Sequence, residues 1–561
     1  MTRVPRTAFL RGLLFGVVGV YLASVGVLLM LHGRWIVIGT LSLGQATLVF
    51  LGIGAGIVAV PRATSFPTGA RLAAGAMAGL ITGGLVAALA ILVALVKLRS
   101  IFIALSPDLL SMLTTGLGLW KGIALLLGAG LIAGFLGAAL RIAPTAIRRA
   151  LIAGAAAVVI AGVFQELIQL MLQYEGPVGA IRDFFYTWEG LTPKGAITVF
   201  VLAIVCQQIW SGTVGRRAPP VNDRQRQRQR MVRAGIALLA LAVMPALAGA
   251  YIGQVLLLVA LYILMGMGLN LEVGLAGLLD LGFVAFFAVG AYSTALLTAD
   301  NAHALMHLSF WAAMPISVVL SVLVGVVFGL PVLGVRGDYL AVATLGLGEI
   351  VRVVVLSDFA APLLGGAQGL LQIPKPRIGN MALTNPVQLF YLTLIAAGIA
   401  AFVAWRLENS RLGRAWTALR DDEDVAQALG INLVRSKLMA YGLGAAFAGL
   451  AGSIFAVMLG SVYPSSFQLL VSINVLALII VGGMGSLPGV VLGSVALIGL
   501  PELLREFGEY RYLFYGAALI VMMRWRPEGL WPSEVRRREL HDADEAETVD
   551  EGADLLPVRP G

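Results

Sequence analysis

The sequence predicts an all-α, polytopic transmembrane helical bundle of about sixteen spans. Two observations carry this. Mean hydropathy is +0.92 over 561 residues, with 59% hydrophobic and only 12% charged residues. Apolar stretches of 18 or more residues recur along the chain, each long enough to cross about 30 Å of hydrocarbon as a helix. Backbone polar groups in lipid must be satisfied within the segment, so repeated spans of this length mean helices. The ten-residue alternating segments of a membrane β-barrel are missing.

The opening stretch MTRVPRTAFLRGLLFGVVGVYLASVGVLLML has a basic flank and a long apolar run without a small-residue cleavage site. It reads as an uncleaved first span. Further spans are expected at 35–60, 71–97, 118–140, 148–173 and 194–212, giving six in an N-terminal membrane module, 1–214. GRRAPPVNDRQRQRQRMVR (215–233) holds seven arginines and two prolines with no apolar periodicity. It reads as a solvated linker and domain boundary. About ten spans follow in a second domain, 234–530: near 234–250, 252–270, 276–299, 309–333, 339–358, 387–405, 433–460, 467–483, 488–503 and 511–524. Several are glycine-rich and are candidates for broken or re-entrant segments. The acidic tail 531–561 lacks apolar periodicity and reads as disordered.

With the N-terminus in the cytoplasm, alternation places 61–71, 141–149, the arginine linker, 335–338, 406–432 and the tail on one side. Lys and Arg concentrate there, as expected for the cytoplasmic face. The termini are therefore expected to be cytoplasmic, in the inner (plasma) membrane of a bacterial cell. The net charge of +9 is accounted for by these loops and by contact with membrane lipid, not by nucleic acid. Cys206, the only cysteine, lies in an apolar span, so no disulfide framework exists. His303 and His307 are four apart, but no third ligand is near in sequence. The glycine-rich stretches lack the GK[ST] ending of a phosphate-binding loop, so the chain is expected to hydrolyse no ATP and to carry no cofactor.

The most unusual stretch is GRAWTALRDDEDVAQALGIN (413–432), a charged helix between spans. Ala415, Ala418, Ala426 and Leu429 fall close to one face. Arg414 and Arg420 precede an acidic cluster of Asp421, Asp422, Glu423 and Asp424, and Gly430 is placed to end the helix. The residues alone fit either a solvated connector or a helix that enters a partner's groove.

This stretch, continued through LVRSKLMAYGLGAAFAGLAG, resembles the cytoplasmic loop and following span of LivM-type permeases, the membrane subunits of ABC importers for branched-chain amino acids. GMGLNLEVGLAGLLDLGFVAFFAVGAY (266–292), RGDYLAVATLGLGEIVRVV (336–354), GGAQGL (365–370) and VGGMGSLPGVVLGS (481–494) follow the family's usual order, so the resemblance covers roughly 240–530. It implies a permease subunit forming half of a pathway. The implied partners are a LivH-type companion permease, two ABC ATPase subunits carrying ATP and Mg, and an extracytoplasmic substrate-binding protein. It also implies that Arg414, Ala418, Arg420, Asp421, Asp422, Glu423, Ala426 and Gly430 form an ATPase-coupling helix. A urea or short-chain amide importer and an ion-coupled secondary transporter are the alternatives.

Pathway and packing candidates come from polar and small residues inside spans. Asp280 is either interfacial with a backbone partner or functional. Glu349 and Arg352, three apart, form an ion pair or meet substrate. Thr344, Gly346 and Gly348 open space for backbone approach. Gly282, Gly449, Gly482 and Gly483 lie in the resembling blocks, and Gly442, Gly444, Gly449 and Gly452 give the span after the polar stretch a small-residue face. A mostly apolar substrate needs no deep charged site, and none is expected. The GGAQGL loop either meets a receptor or is solvated and flexible. Residues 1–233 lie outside the resemblance. LSLGQATLVFLG (41–52) echoes LDLGFVAFFAVG (279–290), which leaves two readings, a degenerate fused companion permease and an unrelated accessory module.

Overall fold

The computed structural model describes residues 3–60, 67–96, 102–171, 177–187, 190–214, 244–245, 249–301, 303–335, 337–505, 510–526 and 528–532. The basic linker 215–233, most of the expected span 234–250 and the tail from 533 onward lie outside the described residues. The chain divides into two compact units, Met1–Arg233 and Ala234–Gly561.

Among the described residues, ten helices are long and apolar enough to cross a membrane. Five shorter apolar helices accompany them: Leu43–Ala59, Pro193–Ile209, Val284–Thr298, Leu487–Leu503 and Tyr515–Arg524. The protein is therefore a helical, multi-pass membrane protein, but its segments are less uniform than the apolar runs suggest. Gly26, at φ +90°, splits the first run into Arg3–Val25 and Val27–His32. The run expected at 35–60 begins with β structure. Trp35–Val37 pairs antiparallel with Leu41–Ser42 and parallel with Gly190–Leu191, which pairs with Tyr186–Thr187. Only then does Ser42 start the helix Leu43–Ala59, its hydroxyl accepting from Gln45 N while the Gln45 side chain accepts from Ser42 N. The all-α bundle thus carries a few strands of two or three residues between its helices. β-branched WIVIG favours an extended chain there over a first helical turn.

The first unit is built on glycine contacts. Gly134, on Leu119–Ile142, lies against the backbone of Gly75 and Gly79 on Thr68–Leu95 and against Gly56 on Leu43–Ala59. Three helices therefore meet backbone to backbone at one residue, the close approach that small residues allow between membrane helices.

In the second unit, Leu433–Leu459 is the central helix. Ala440, Ala445, Ala448, Ala451, Ile454, Ala456 and Val457 are fully buried in its interior contacts. Gly449 lies against Ser321 and Gly290, and Gly452 against the Phe287 carbonyl. The small-residue face read from the sequence is thus the packing surface for Val284–Thr298 and Phe310–Val332. The run 276–299 keeps only Val284–Thr298 as helix, about 22 Å at 1.5 Å per residue, because the chain from Gly277 to Phe283 is not helical. The helix before it ends in a π turn, Asn270–Leu275. A second π turn, Val495–Gly499, interrupts the segment near 487–503.

Gly134→Leu drives a side chain into the facing backbone at Gly75 and Gly79, whereas Gly128, on the same helix, faces open space. Overpacking costs about 1–3 kcal/mol. Size-exclusion profiles and thermal unfolding in detergent are expected to show loss of the folded species for Gly134→Leu and a wild-type profile for Gly128→Leu.

Candidate functional site

The polar stretch is two helices, not one. Arg411–Asp421 is capped by Ser410, whose hydroxyl accepts from Leu412 N at 3.1 Å and Gly413 N at 3.3 Å. Asp422 breaks the helix in extended conformation and caps the next, Glu423–Ala428, accepting from Asp424 N (2.8 Å) and Val425 N (2.9 Å). A side chain that bonds the amides ahead of it competes with a continuous helix, which is why the expected single helix divides there. Gly430, at φ +85°, closes the second helix: its amide donates to Gln427 O, and Ile431 N donates to Ala426 O. This is the paired C-terminal arrangement that glycine permits at least cost. Asn432 then caps Leu433–Leu459 through Arg435 N.

The segment is fastened to the bundle along its length. Trp416 is 0% exposed, and its indole N–H donates to Ser436 O at 2.9 Å. Gly413 and Leu419 are buried with it. Arg420 reaches across to donate to the Gly274 carbonyl at 3.0 Å, and its side chain packs on Gly277, whose φ of +72° brings the backbone close. Glu423 pairs with buried Lys437 at 2.8 Å. Ala426 is also buried. Of the eight residues assigned to coupling from sequence, Arg420, Glu423 and Ala426 thus face this chain. Ala418 is half-buried, and Arg414, Asp421, Asp422 and Gly430 are exposed. The outward surface also presents two apolar side chains that the sequence reading did not single out as a pair, Val425 (55% exposed) and Leu429 (76%).

Directly behind the Arg420 contact lies a feature the sequence reading missed. Glu272, in the π turn, is 0% exposed and Asp280 is 1% exposed. Neither Glu272 oxygen nor Asp280 Oδ2 has a hydrogen-bond partner among the described residues. Asp280 Oδ1 accepts from Gly282 N at 2.7 Å, and Thr344 Oγ1 accepts from Leu281 N at 3.0 Å. Gly282 lies against the Thr344 carbonyl, Gly348 packs on Gly282, and Gly444 lies against the Glu272 carboxyl. No deep charged site was expected along a path for an apolar substrate, yet two acids are buried here. An apolar substrate does not call for such a site, so that argument could not find an acid pair with a different role. The signal was present as a glutamate in an otherwise apolar span, GLNLEVGLAG.

The other candidates are dispersed. Glu349 and Arg352 pair with each other, Arg352 Nε lying 2.9 and 3.0 Å from the two carboxylate oxygens. Gly346 faces open space. Gly482 lies against Gly489, and Gly483 sits under the returning chain, where Leu530 N donates to Val481 O and Trp531 N to Gly482 O, both at 2.8 Å. The start of the expected tail is thus ordered at Trp531. The GGAQGL loop is held, with Leu370 and Val462 exchanging backbone bonds of 2.9 and 2.8 Å. Beside it, Lys375 donates to the Val457 and Met458 carbonyls at 2.7 Å each, a cation on a helix C-terminus. Burial draws its amine below the ordinary lysine value. His303 and His307 meet separate backbone carbonyls, those of Pro362 and Ala299.

Packed membrane helices, short broken helices and a clamped polar segment between spans define a multi-pass helical membrane protein. The family described as branched-chain amino acid transport system / permease component matches residues 251–523. The high-affinity branched-chain amino acid permease protein LivM of Escherichia coli K12 is 35% identical over 419 residues, covering 69% of this chain and 95% of that relative. The chain belongs to this permease family. The LivM protein of Methanocaldococcus jannaschii is 22% identical over 335 residues, with 94% of its length on 50% of this chain. The LivH protein of E. coli is 23% identical over 288 residues, 48% of this chain and 90% of its own. No solved structure matches. A share of 69% exceeds the stretch Ala234–Gly561, so the first alignment extends into the first unit.

Removing a large buried aromatic side chain costs about 3–5 kcal/mol. Trp416→Ala is expected to free the 409–432 segment, seen as faster proteolysis there while the spans stay protected. Trp416→Phe, which keeps most of the contact, is expected to cleave at an intermediate rate.

Proposed function

We propose that the chain supplies half of a translocation path for branched-chain amino acids across a bacterial inner membrane, with its termini in the cytoplasm. A companion permease of the same family supplies the other half. Two ATPase subunits, which carry the ATP and Mg, bind the 409–432 segment, and an extracytoplasmic binding protein delivers substrate. The permease domain is 234–530, preceded by the module 1–214 and the linker 215–233 and followed by the tail 531–561.

The observation that carries this reading is the shape of the segment. It is pinned inward by Trp416, Arg420 and Glu423, and outward it offers Val425 and Leu429 beside Asp421 and Asp422. A lever needs both surfaces, one fixed to the path and one free for an engine. Family membership and the match to two different permeases of one E. coli amino acid system support the substrate class and the companion. The basic residues at 61–71, 141–149, 215–233 and 335–338 support the orientation.

Charges at two apolar anchor positions cost about 2 kcal/mol of binding or more. Val425→Asp with Leu429→Asp is expected to leave the chain inserted and bound to its companion permease. Copurification of the ATPases and uptake of radiolabelled leucine are expected to be lost together. Uptake at the wild-type rate in this variant would contradict the lever. Leucine uptake unchanged in a deletion strain, with urea or a short-chain amide no longer imported, would contradict the substrate.

A further inference from the structure

Glu272 and Asp280 are not explained by a path for an apolar zwitterion. They come from two different pieces of backbone, the π turn Asn270–Leu275 and the non-helical stretch after Gly277. Among the described residues, neither Glu272 oxygen nor Asp280 Oδ2 meets an N–H or hydroxyl donor, and the Tyr441 hydroxyl beside them, itself 2% exposed, has no partner. Tyr441, which lines one small space with Asp280, and Gly444, which lies against the Glu272 carboxyl, are one turn apart on the same helix and bring the two acids into one cluster. Ionised carboxylates only accept hydrogen bonds, so two carboxyls bond each other only when a proton lies between them. Two adjacent buried carboxylates also repel and resist joint ionisation.

Among the described residues, no cation meets either Glu272 oxygen or Asp280 Oδ2. Tyr441 and Gly444 come from Leu433–Leu459, Thr344, Leu347 and Gly348 from Asp338–Leu356, Phe286 from Val284–Thr298 and Phe328 from Phe310–Val332. The nearby cations are engaged elsewhere, Lys437 with Glu423 and Arg420 with the Gly274 carbonyl. The space bounded by Asp280, Thr344 and Tyr441 is about 10 Å³, too small for an amino acid.

We propose that Glu272 and Asp280 form a proton-binding site whose single shared proton fastens the π turn to the following backbone and so holds the seat on which Arg420 rests. Gly274 and Gly277, which receive Arg420, lie between the two acids in sequence. Losing the proton to solvent leaves two facing carboxylates. Their repulsion parts the two backbone pieces and loosens the docked segment. Coupling is therefore kept while the proton is bound and falls as pH rises through its release. Glu272 and Asp280 are positioning residues that act through Arg420.

The test has two arms. Infrared spectroscopy on the full chain in lipid nanodiscs reads the carbonyl band of protonated carboxyl groups. The expected result is a wild-type band that persists at neutral pH, where exposed carboxyls are ionised, disappears at higher pH, and is missing from neutral pH upward in the Glu272→Gln/Asp280→Asn variant, checked for monodispersity by size exclusion. Superimposable wild-type and variant spectra across the pH range would overturn the proposal. So would sodium binding to wild type that the variant loses, which would assign the site to a metal cation. The second arm rests on the transport reading above. In proteoliposomes with the ATPases, wild type is expected to lose transport-coupled hydrolysis by more than about fivefold, the lower end of ordinary coupling between sites, over the pH range where the band disappears. The variant, fixed neutral, is expected to stay flat after correction for the ATPases alone. Identical pH profiles would overturn the proposal. An assembly that transports nothing at any pH would instead count against the transport reading, leaving the infrared arm to decide the proton site.

Discussion

The second unit depends on how a polar segment is bolted to an apolar bundle. Membrane helices pack by shape and small-residue contact, with little hydrophobic force between them. A water-exposed segment at their end has no lipid to hold it and must be fixed by specific bonds. Here the Trp416 indole, the Arg420 guanidinium and the Glu423–Lys437 pair supply them at three points between residues 416 and 423. The pair is asymmetric, with Lys437 only 3% exposed and Glu423 more accessible. Removing Glu423 alone would strand a buried cation, the costly way to break such a pair. The segment's position is thus tied to the central helix and to the π turn together.

That arrangement explains where regular helices fail. The π turn at Asn270–Leu275 and the non-helical chain up to Phe283 lie where Arg420 docks. Asn270 Oδ1 accepts from Gly485 N at 2.8 Å, so the same turn also touches the block after Gly483. Three motifs distant in sequence, GLNLEVGLAG, GRAWTALRD and VGGMGSLPG, meet within a few side chains of one another. A continuous helix through 276–283 would deny Arg420 its carbonyl and remove the close approach at Gly277. Irregular backbone at membrane depth is tolerated where protein surrounds it, and these residues are almost all buried.

Much of this was legible in the sequence. Hydropathy located the apolar segments, and the ordered motifs pointed to the permease family that the chain proves to belong to. Gly430 was read as a helix terminator from its type and place, and its φ of +85° bears this out. Other features were hidden for physical reasons. Apolar composition cannot distinguish a helix that starts at residue 35 from a hairpin followed by one, because both bury the same side chains. Charge type does not say which way a residue points on a short helix, so inward Arg420 and Glu423 looked like outward Asp421. Glu272 was overlooked because a lone carboxyl in a span draws notice only when its partner is known, and Asp280 lies beyond a turn that periodicity does not mark.

The central claim is that the 409–432 segment moves as one body with the Leu433–Leu459 helix. Pulsed electron resonance between spin labels at Val425 and Val434, both exposed, measures this directly in the assembled transporter. The account predicts one narrow distance distribution that stays the same with and without ATP, while distances from either label to the ATPases change. A Val425–Val434 distribution that broadens or shifts with nucleotide would contradict it.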